Sequence, residues 1–270
     1  MGKMISLVNQ KGGVGKTTTS INLSASLAYL GKKVLLLDLD PQGNTTTGIG
    51  MNKGDIDKTI YDVLIGKCDI KEAIIHTKYK RLDLLPATVN LSGLDTEFFE
   101  RSKEEPNFVK GAQLKNKIDL VRDEYDFIIV DCPPSLSIIT INALTASNSV
   151  IIPVQCEFLA LEGIMQLLNT IMMAQKQLNP DLDIEGVLLT MLDGRTNIGL
   201  EVIEEIRKVK NDCYSIDIDM YNCYYGDNAL MYVTFDLVSA QVLGDNYLDK
   251  AYEFIRNMLL EPDFTNEKSY

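Results

Sequence analysis

The stretch Met4-Ile5-Ser6-Leu7-Val8-Asn9-Gln10-Lys11-Gly12-Gly13-Val14-Gly15-Lys16-Thr17-Thr18 decides the fold of this chain. An apolar run leads into a glycine-rich loop, and an amphipathic stretch from Thr18 to Leu30 follows, so the order is strand, loop, helix. A loop placed this way is a phosphate cradle. Its glycines let successive backbone N–H groups turn toward oxygens, and the following helix N-terminus adds its positive dipole end. The cradle runs from Lys11 through Gly12, Gly13, Val14 and Gly15 to Lys16, Thr17 and Thr18. In this pattern Lys16 reaches the β- and γ-phosphates and the Thr17 hydroxyl ligates Mg²⁺. The strict motif wants glycine where Gln10 stands, and a second lysine, Lys11, sits one step into the loop. Two lysines on one triphosphate need a reason.

Outward from the loop, the pattern to about residue 210 alternates strand and helix. Strands are expected at Ile5–Val8, Lys33–Leu37, Leu82–Leu85, Phe127–Val130, Val150–Val154 and Ile184–Thr190. Helices are expected at Lys16–Leu30, Thr59–Ile65, Gln113–Asp123, Ile138–Ala146, Glu162–Gln177 and Gly199–Lys208, with a loop over Gly48–Asp57. Continuous apolar strands joined by helices predict an α/β fold: a doubly wound, mostly parallel sheet with helices on both faces. Ligands of such a sheet sit at the carboxyl ends of its strands. Two of those ends carry aspartates. Asp38 and Asp40 end the run Val34-Leu35-Leu36-Leu37-Asp38-Leu39-Asp40-Pro41-Gln42-Gly43-Asn44, and Asp131 ends Phe127-Ile128-Ile129-Val130-Asp131-Cys132-Pro133-Pro134-Ser135. An apolar strand ending in Asp is the Walker B arrangement, whose carboxylate helps hold Mg²⁺ and its waters.

Composition bounds the rest. The 270 residues suit one large α/β domain or two small ones, and no apolar run approaches the ~20 residues that span a bilayer. The chain starts on a strand with no signal-peptide pattern, which predicts the cytoplasm. Five cysteines without CxxC spacing read as reduced thiols, and His76, the lone histidine, as a surface or loop residue without chemistry. Of the net charge of −12, residues 211–270 hold −8. So acidic a chain needs a local basic patch, or a dimer, to grip DNA phosphates.

The segments KGGVGKTTT, DLDPQGN and DCPPSL resemble the deviant-Walker ATPases, and most closely the ParA/Soj chromosome- and plasmid-partitioning proteins. Tyr61-Asp62-Val63-Leu64, Leu84-Leu85-Pro86-Ala87, Ile152-Pro153-Val154-Gln155-Cys156-Glu157, Ala160-Leu161-Glu162-Gly163 and Glu185-Gly186-Val187-Leu188-Leu189-Thr190-Met191 extend the likeness over residues 1 to about 209. The resemblance implies ATP and Mg²⁺ as cofactors and a slow, partner-stimulated ATPase. It gives Lys11 the role of the signature lysine, which crosses the interface of an ATP-bound homodimer to the partner's nucleotide. Gly12 becomes the point of closest approach between subunits. Asp40 positions the attacking water, Asp38 lies near the Mg²⁺ waters, and Asp131 is the Walker B carboxylate. Lys11, Lys16 and Asp40 are then the catalytic set. The paired lysines acquire their reason, one acting in cis and one in trans, much as an arginine finger does.

The same resemblance implies non-specific DNA binding by the ATP-bound dimer, a nucleoid-associated state, and release by a ParB-like stimulator. Arg195 matches a family arginine implicated in DNA contact. The family's Ile-Pro-Arg-Asn and Glu-Ala-Pro-Ser-x-Gly segments are missing, because Tyr214 to Ala240 holds no proline, arginine or lysine. One ATPase domain over residues 1–260, divergent at 211–245 and ending in a polar, frayed tail at 261–270, is expected. Genuine divergence and a shifted reading frame over about 211–243 both account for that texture. A membrane-surface switch of the MinD type needs a basic amphipathic C-terminal helix, and Glu261-Pro262-Asp263-Phe264-Thr265-Asn266-Glu267 is acidic and proline-broken. The cysteine motif of an electron-transfer ATPase is also lacking. A positioning ATPase for protein cargo, or an ATP-binding paralogue with impaired DNA binding, remains the alternative to partitioning.

Overall fold

The computed structural model describes residues 2–155, 160–191 and 215–216. The chain divides into two units, Met1–Ser215 and Ile216–Tyr270. The helix expected at Gly199–Lys208, Arg195, the divergent segment apart from 215–216, and the polar tail all lie outside the described residues.

An eight-stranded sheet organises the first unit. Its strands are β1 (Lys3–Leu7), β2 (Val34–Asp38), β3 (Ile75–His76), β4 (Leu82–Leu85), β5 (Phe127–Asp131), β6 (Ser149–Gln155), β7 (Asp183–Thr190) and the two-residue β8 (Ser215–Ile216). The order across the sheet is β3-β4-β2-β5-β1-β6-β7-β8. From β4 to β7 every pairing is parallel, and the short edge strand β3 runs antiparallel on β4. All six expected strands are present, and the doubly wound α/β class holds.

Alternation along the strands builds two cores. Leu35, Leu37, Ile128, Val130, Val150 and Ile152 join one apolar cluster with residues of α3 (Ile60–Leu64), α6 (Gln113–Ile118), α7 (Ile138–Ala146) and α8 (Ala160–Gln177). Their strand neighbours Leu36, Ile129 and Ile151 are equally buried but face the other way, where α1 (Lys16–Tyr29) packs against β1, β2, β4 and β5. Both faces of the central strands are therefore covered, which is why those strands read as unbroken apolar runs.

Several elements depart from the expectations. The short helix α2 (Asn44–Gly48) follows β2, although its Asn-Thr-Thr-Thr-Gly sequence has poor helix propensity. Side-chain bonds from its threonines, described below, hold it in place. Helix α5 (Leu94–Glu104) buries only Leu94 and Phe98, so its apolar period is faint. Its signal is electrostatic: Asp95 and Glu97 in the first turn, Arg101 and Lys103 in the last, each complementing the helix dipole. The helix expected over Gln113–Asp123 stops at Ile118. Beyond it Arg122 turns inward, 5% exposed, and donates to the Ala146 carbonyl at 2.5 Å. The short helix α4 (Ile70–Ala73) completes the set, and a 3₁₀ turn at Lys53–Asp55 interrupts the expected loop at 48–57.

Candidate functional site

The carboxyl ends of β1, β5 and β2 lie side by side, because β5 runs between the other two. Register fixes the consequence: Asp131 pairs with Leu7 on one side and with Asp38 on the other. Chain topology therefore brings the glycine loop, Asp38 and Asp131 to one place.

The loop is rigidly built. Asn9 donates to the Pro153 carbonyl at 2.6 Å, and its Oδ1 accepts the Lys11 N–H at 2.9 Å. Gly13 and Gly15 have φ of 77° and 88°, the left-handed region that favours glycine. Thr190, at the end of β7, donates to the Val14 carbonyl at 3.0 Å. Gly12 differs from the other two glycines. It is exposed, its φ is not positive, and a Cβ built on it meets nothing within 4 Å. Nothing among the described residues of this chain requires glycine there.

Lys16 Nζ curls back onto the Lys11 carbonyl at 2.9 Å, the side chain only 7% exposed. Burial pushes its pKa down, against the opposing pull of Asp131, Cys132 and Asp40. The Thr17 hydroxyl donates to Asp131 Oδ2 at 2.7 Å. Asp38 and Asp131 are both fully buried. Burial pushes Asp38 up to about 7, with the Asp131 charge adding to the rise while bonds from Thr46 and Asp40 oppose it. Burial raises Asp131 as well, against the hydroxyls of Thr45 and Thr17. Two buried carboxylates in register, with Lys16 as their nearby cation, leave negative charge that a further cation would offset.

That donor set suits a hard divalent ion. Among the described residues no group of three or more His, Cys, Asp and Glu forms a closed metal cage. A Mg²⁺ site needs none, since one or two protein oxygens suffice when phosphates and water supply the rest. Thr17 and Asp131 present that pair of oxygens beside the loop. Asp40, 9% exposed, stands at the rim of the site, its Oδ1 fixed by the Gln42 N–H at 2.9 Å.

Comparison with known proteins gives this arrangement a family. The AAA domain model of the AAA_31 family matches residues 2–184. The sporulation initiation inhibitor protein Soj of Bacillus subtilis is 55% identical over 212 residues, covering 78% of this chain and 81% of that protein. The chromosome partitioning protein ParA of Myxococcus xanthus is 47% identical over 207 residues, covering 77% of this chain and 71% of that protein. The chain belongs to the ParA/Soj family. Its fold is shared with cobyrinic acid a,c-diamide synthase from Mycobacterium smegmatis, solved with bound ADP and magnesium, at a TM-score of 0.72 and 32% identity over 96% of both chains.

Within this ParA/Soj chain, several features of the site escape sequence reasoning. Gln10, at the position where the strict motif has glycine, donates to Gln166 on α8 at 3.1 Å, so it ties the loop to a neighbouring helix. Thr45 and Thr46 on α2 are fully buried and bond the two inner carboxylates. The Thr-Thr-Thr run after Asn44 was their visible trace, but only the register of β2 and β5 shows what they touch. Cys132 is buried beside Asp131 with its thiol pKa pushed well up by burial, so it is an inert core thiol. Cys68 is also a free thiol, and the other three cysteines lie outside the described residues. His76 sits on β3 with an exposed ring, its Nδ1 2.7 Å from Asp83 Oδ1. Among the described residues no helix is long and apolar enough to cross a membrane.

Proposed function

We propose that this chain is an ATP-switched partitioning ATPase that dimerises on ATP–Mg²⁺. Contacts between the ATP-bound dimer and DNA are non-specific, and hydrolysis stimulated by a ParB-like partner releases it. The observation that carries this reading is the convergence of Lys16, Thr17 and Asp131 on one loop, together with a Gly12 that the described chain does not need. Mg²⁺, when bound, neutralises charge on the oxygens of the transferred phosphoryl group. Lys16 holds the phosphates of its own nucleotide, backed by the N–H groups of residues 12–18. Thr17 would hold the ion through its hydroxyl oxygen, with Asp131 and Asp38 as the carboxylates that would offset its charge. Lys11 reaches the nucleotide of the partner subunit, and Gly12 lets the two loops approach. Asp40 orients the attacking water, whose oxygen bonds to the γ-phosphorus as the bond to ADP breaks.

The names of the relatives support the cellular role: the Myxococcus protein is a chromosome partitioning protein. Arg195 is the proposed DNA contact, and it brings the ATP-bound dimer to the nucleoid from an otherwise cytoplasmic pool. A single ATPase domain over 1–260, with a divergent 211–245 and a frayed 261–270, belongs to the same proposal.

Asp40→Ala tests the switch. The variant is expected to bind ATP, dimerise and stay on DNA, with turnover reduced at least tenfold in a phosphate-release assay. Turnover at the wild-type rate contradicts the role of Asp40. ATP-dependent DNA binding that is lost above ~0.2 M salt, and weakened by Arg195→Glu, supports the DNA arm; DNA binding that needs no ATP contradicts it.

A further inference from the structure

Helix α2 carries adjacent threonines that divide the two inner carboxylates between them. Thr46 bonds Asp38 twice, through its N–H at 2.8 Å and its hydroxyl at 2.7 Å, both to Oδ2. Its hydroxyl oxygen also accepts the Ala87 N–H at 3.2 Å, which ties α2 to the chain beyond β4. Thr45 faces the other strand. Its hydroxyl donates to Asp131 Oδ2 at 2.6 Å, the same oxygen that accepts the Thr17 hydroxyl at 2.7 Å. The remaining hydroxyl near this carboxylate, on Ser20, lies 3.4 Å from Oδ1 and 2.9 Å from the Lys16 carbonyl, so its one proton goes to the carbonyl. The Asp131 carboxylate is thus held by two hydroxyl donors, one from the phosphate loop and one from α2.

The two donors are not equivalent toward a metal. A threonine hydroxyl that ligates a cation through its oxygen still has its proton to give, so the Thr17–Asp131 bond is compatible with a ligating Thr17. Thr45 makes its bond from a fully buried position on the element that follows the Asp40 turn. That turn is short and fixed: the Gly43 N–H bonds the Asp40 carbonyl at 2.8 Å, and Gly43 has φ of 59° with the Ala87 carbonyl 2.7 Å from a built Cβ. Any rotation of the Asp131 carboxylate is therefore felt at Thr45, and Thr45 is joined to Asp40 by four residues, Pro41 to Asn44, with little slack.

We propose that Thr45 is a positioning residue for the magnesium site, its hydroxyl fixing the Asp131 carboxylate and linking metal occupancy to the Asp40 turn. The proposal rests on the ATP–Mg²⁺ reading above. It predicts a defect in metal dependence rather than in nucleotide affinity itself, because the Thr45 hydroxyl gives its proton to Asp131 and not to the phosphate loop. Hydrogen-bond partners of metal-holding side chains are commonly worth tenfold or more in metal affinity.

The test titrates Mg²⁺ into the full-length protein with a fluorescent methylanthraniloyl-ATP and reads the half-saturating Mg²⁺ concentration. Thr45→Val keeps the shape and removes the donor; it is expected to raise that concentration about tenfold. Binding of the same nucleotide in EDTA should stay within about twofold of wild type, and Thr45→Ser should restore the metal dependence. If the valine variant does not fold, Thr45→Ala against Thr45→Ser gives the same comparison of donor absent with donor present. An unchanged Mg²⁺ requirement without the hydroxyl overturns the proposal. So does a serine variant as impaired as the variant lacking the donor, or an equal loss of binding in EDTA. Wild-type protein whose nucleotide binding ignores Mg²⁺ would sink the ATP–Mg²⁺ reading itself, a different failure from a normal wild type with silent variants.

Discussion

The two ends of the central sheet bury charge in opposite ways. At the amino ends, the buried charges meet protein partners of opposite charge or polar groups, although Arg122 Nε makes no hydrogen bond. Asp83 on β4 accepts the Tyr125 hydroxyl at 2.9 Å and faces the His76 ring at 2.7 Å, and Lys33 caps the Tyr125 ring at 4.8 Å. Arg122 bonds the Ala146 carbonyl and pairs with Asp119 at 3.1 Å. At the carboxyl ends, two buried aspartates sit in register, held by threonine hydroxyls and, at Asp38, by the Asp40 and Thr46 N–H groups, with no cationic side chain bonded to them among the interactions described. One end spends its polar groups on holding the fold, while the other leaves electrostatic cost that a bound cation and phosphate would relieve. The difference teaches where binding energy enters: the site end is destabilised in advance for its ligands, and the opposite end is not.

Removing the cation from the site end gives the largest expected break. Lys16→Ala should weaken ATP binding by about 100-fold, since a buried charge contact on phosphate is lost. Equilibrium binding of a fluorescent nucleotide measures it, and wild-type affinity in the variant would contradict the cradle. Stability against pH sharpens the contrast further. The Asp38 carboxyl is raised to about 7 in the fold from an ordinary 3.8, so between those values the native state binds more protons than the unfolded one. Stability of the nucleotide-free protein should therefore fall as pH rises from about 4 to 7, by roughly 2–4 kcal/mol. Asp38→Asn should flatten that slope in urea titrations, whereas a slope that persists unchanged assigns it elsewhere.

The closed end should answer more quietly. Tyr125→Phe removes one donor from buried Asp83 and should cost ~1–2 kcal/mol of stability, with nucleotide affinity unchanged. A loss of nucleotide affinity in this variant would blur the distinction between the ends.

How much of this was legible in the sequence follows from what each feature depends on. The strands and α1 show themselves through apolar periodicity, which is local, so the loop was readable from Met4 to Thr18 and the sheet class from the strand–helix alternation to about residue 210. Asp38, Asp40 and Asp131 were readable because strand ends mark the ligand face of a parallel sheet. Thr45, Thr46 and the Gln10–Gln166 bond were not, since each depends on which strands become neighbours: β5 entering between β1 and β2 is a non-local event. Helix α5 was missed for a different reason. Two buried side chains in eleven residues leave little period to find, although its terminal charges carried the signal.

The central claim is that the loop forms half of a site that two subunits complete. Gly13 and Gly15 are explained by their own backbone, whereas nothing among the described residues calls for glycine at Gly12, and the proposed function gives it the approach of a partner subunit. Gly12→Val tests this most directly, by light scattering of the protein with and without ATP–Mg²⁺ beside a nucleotide-binding titration. The account predicts a folded monomer that binds ATP with near wild-type affinity and stays monomeric, where wild type becomes a dimer. A Gly12→Val protein that dimerises with ATP as readily as wild type, or a wild type that never dimerises, would contradict it.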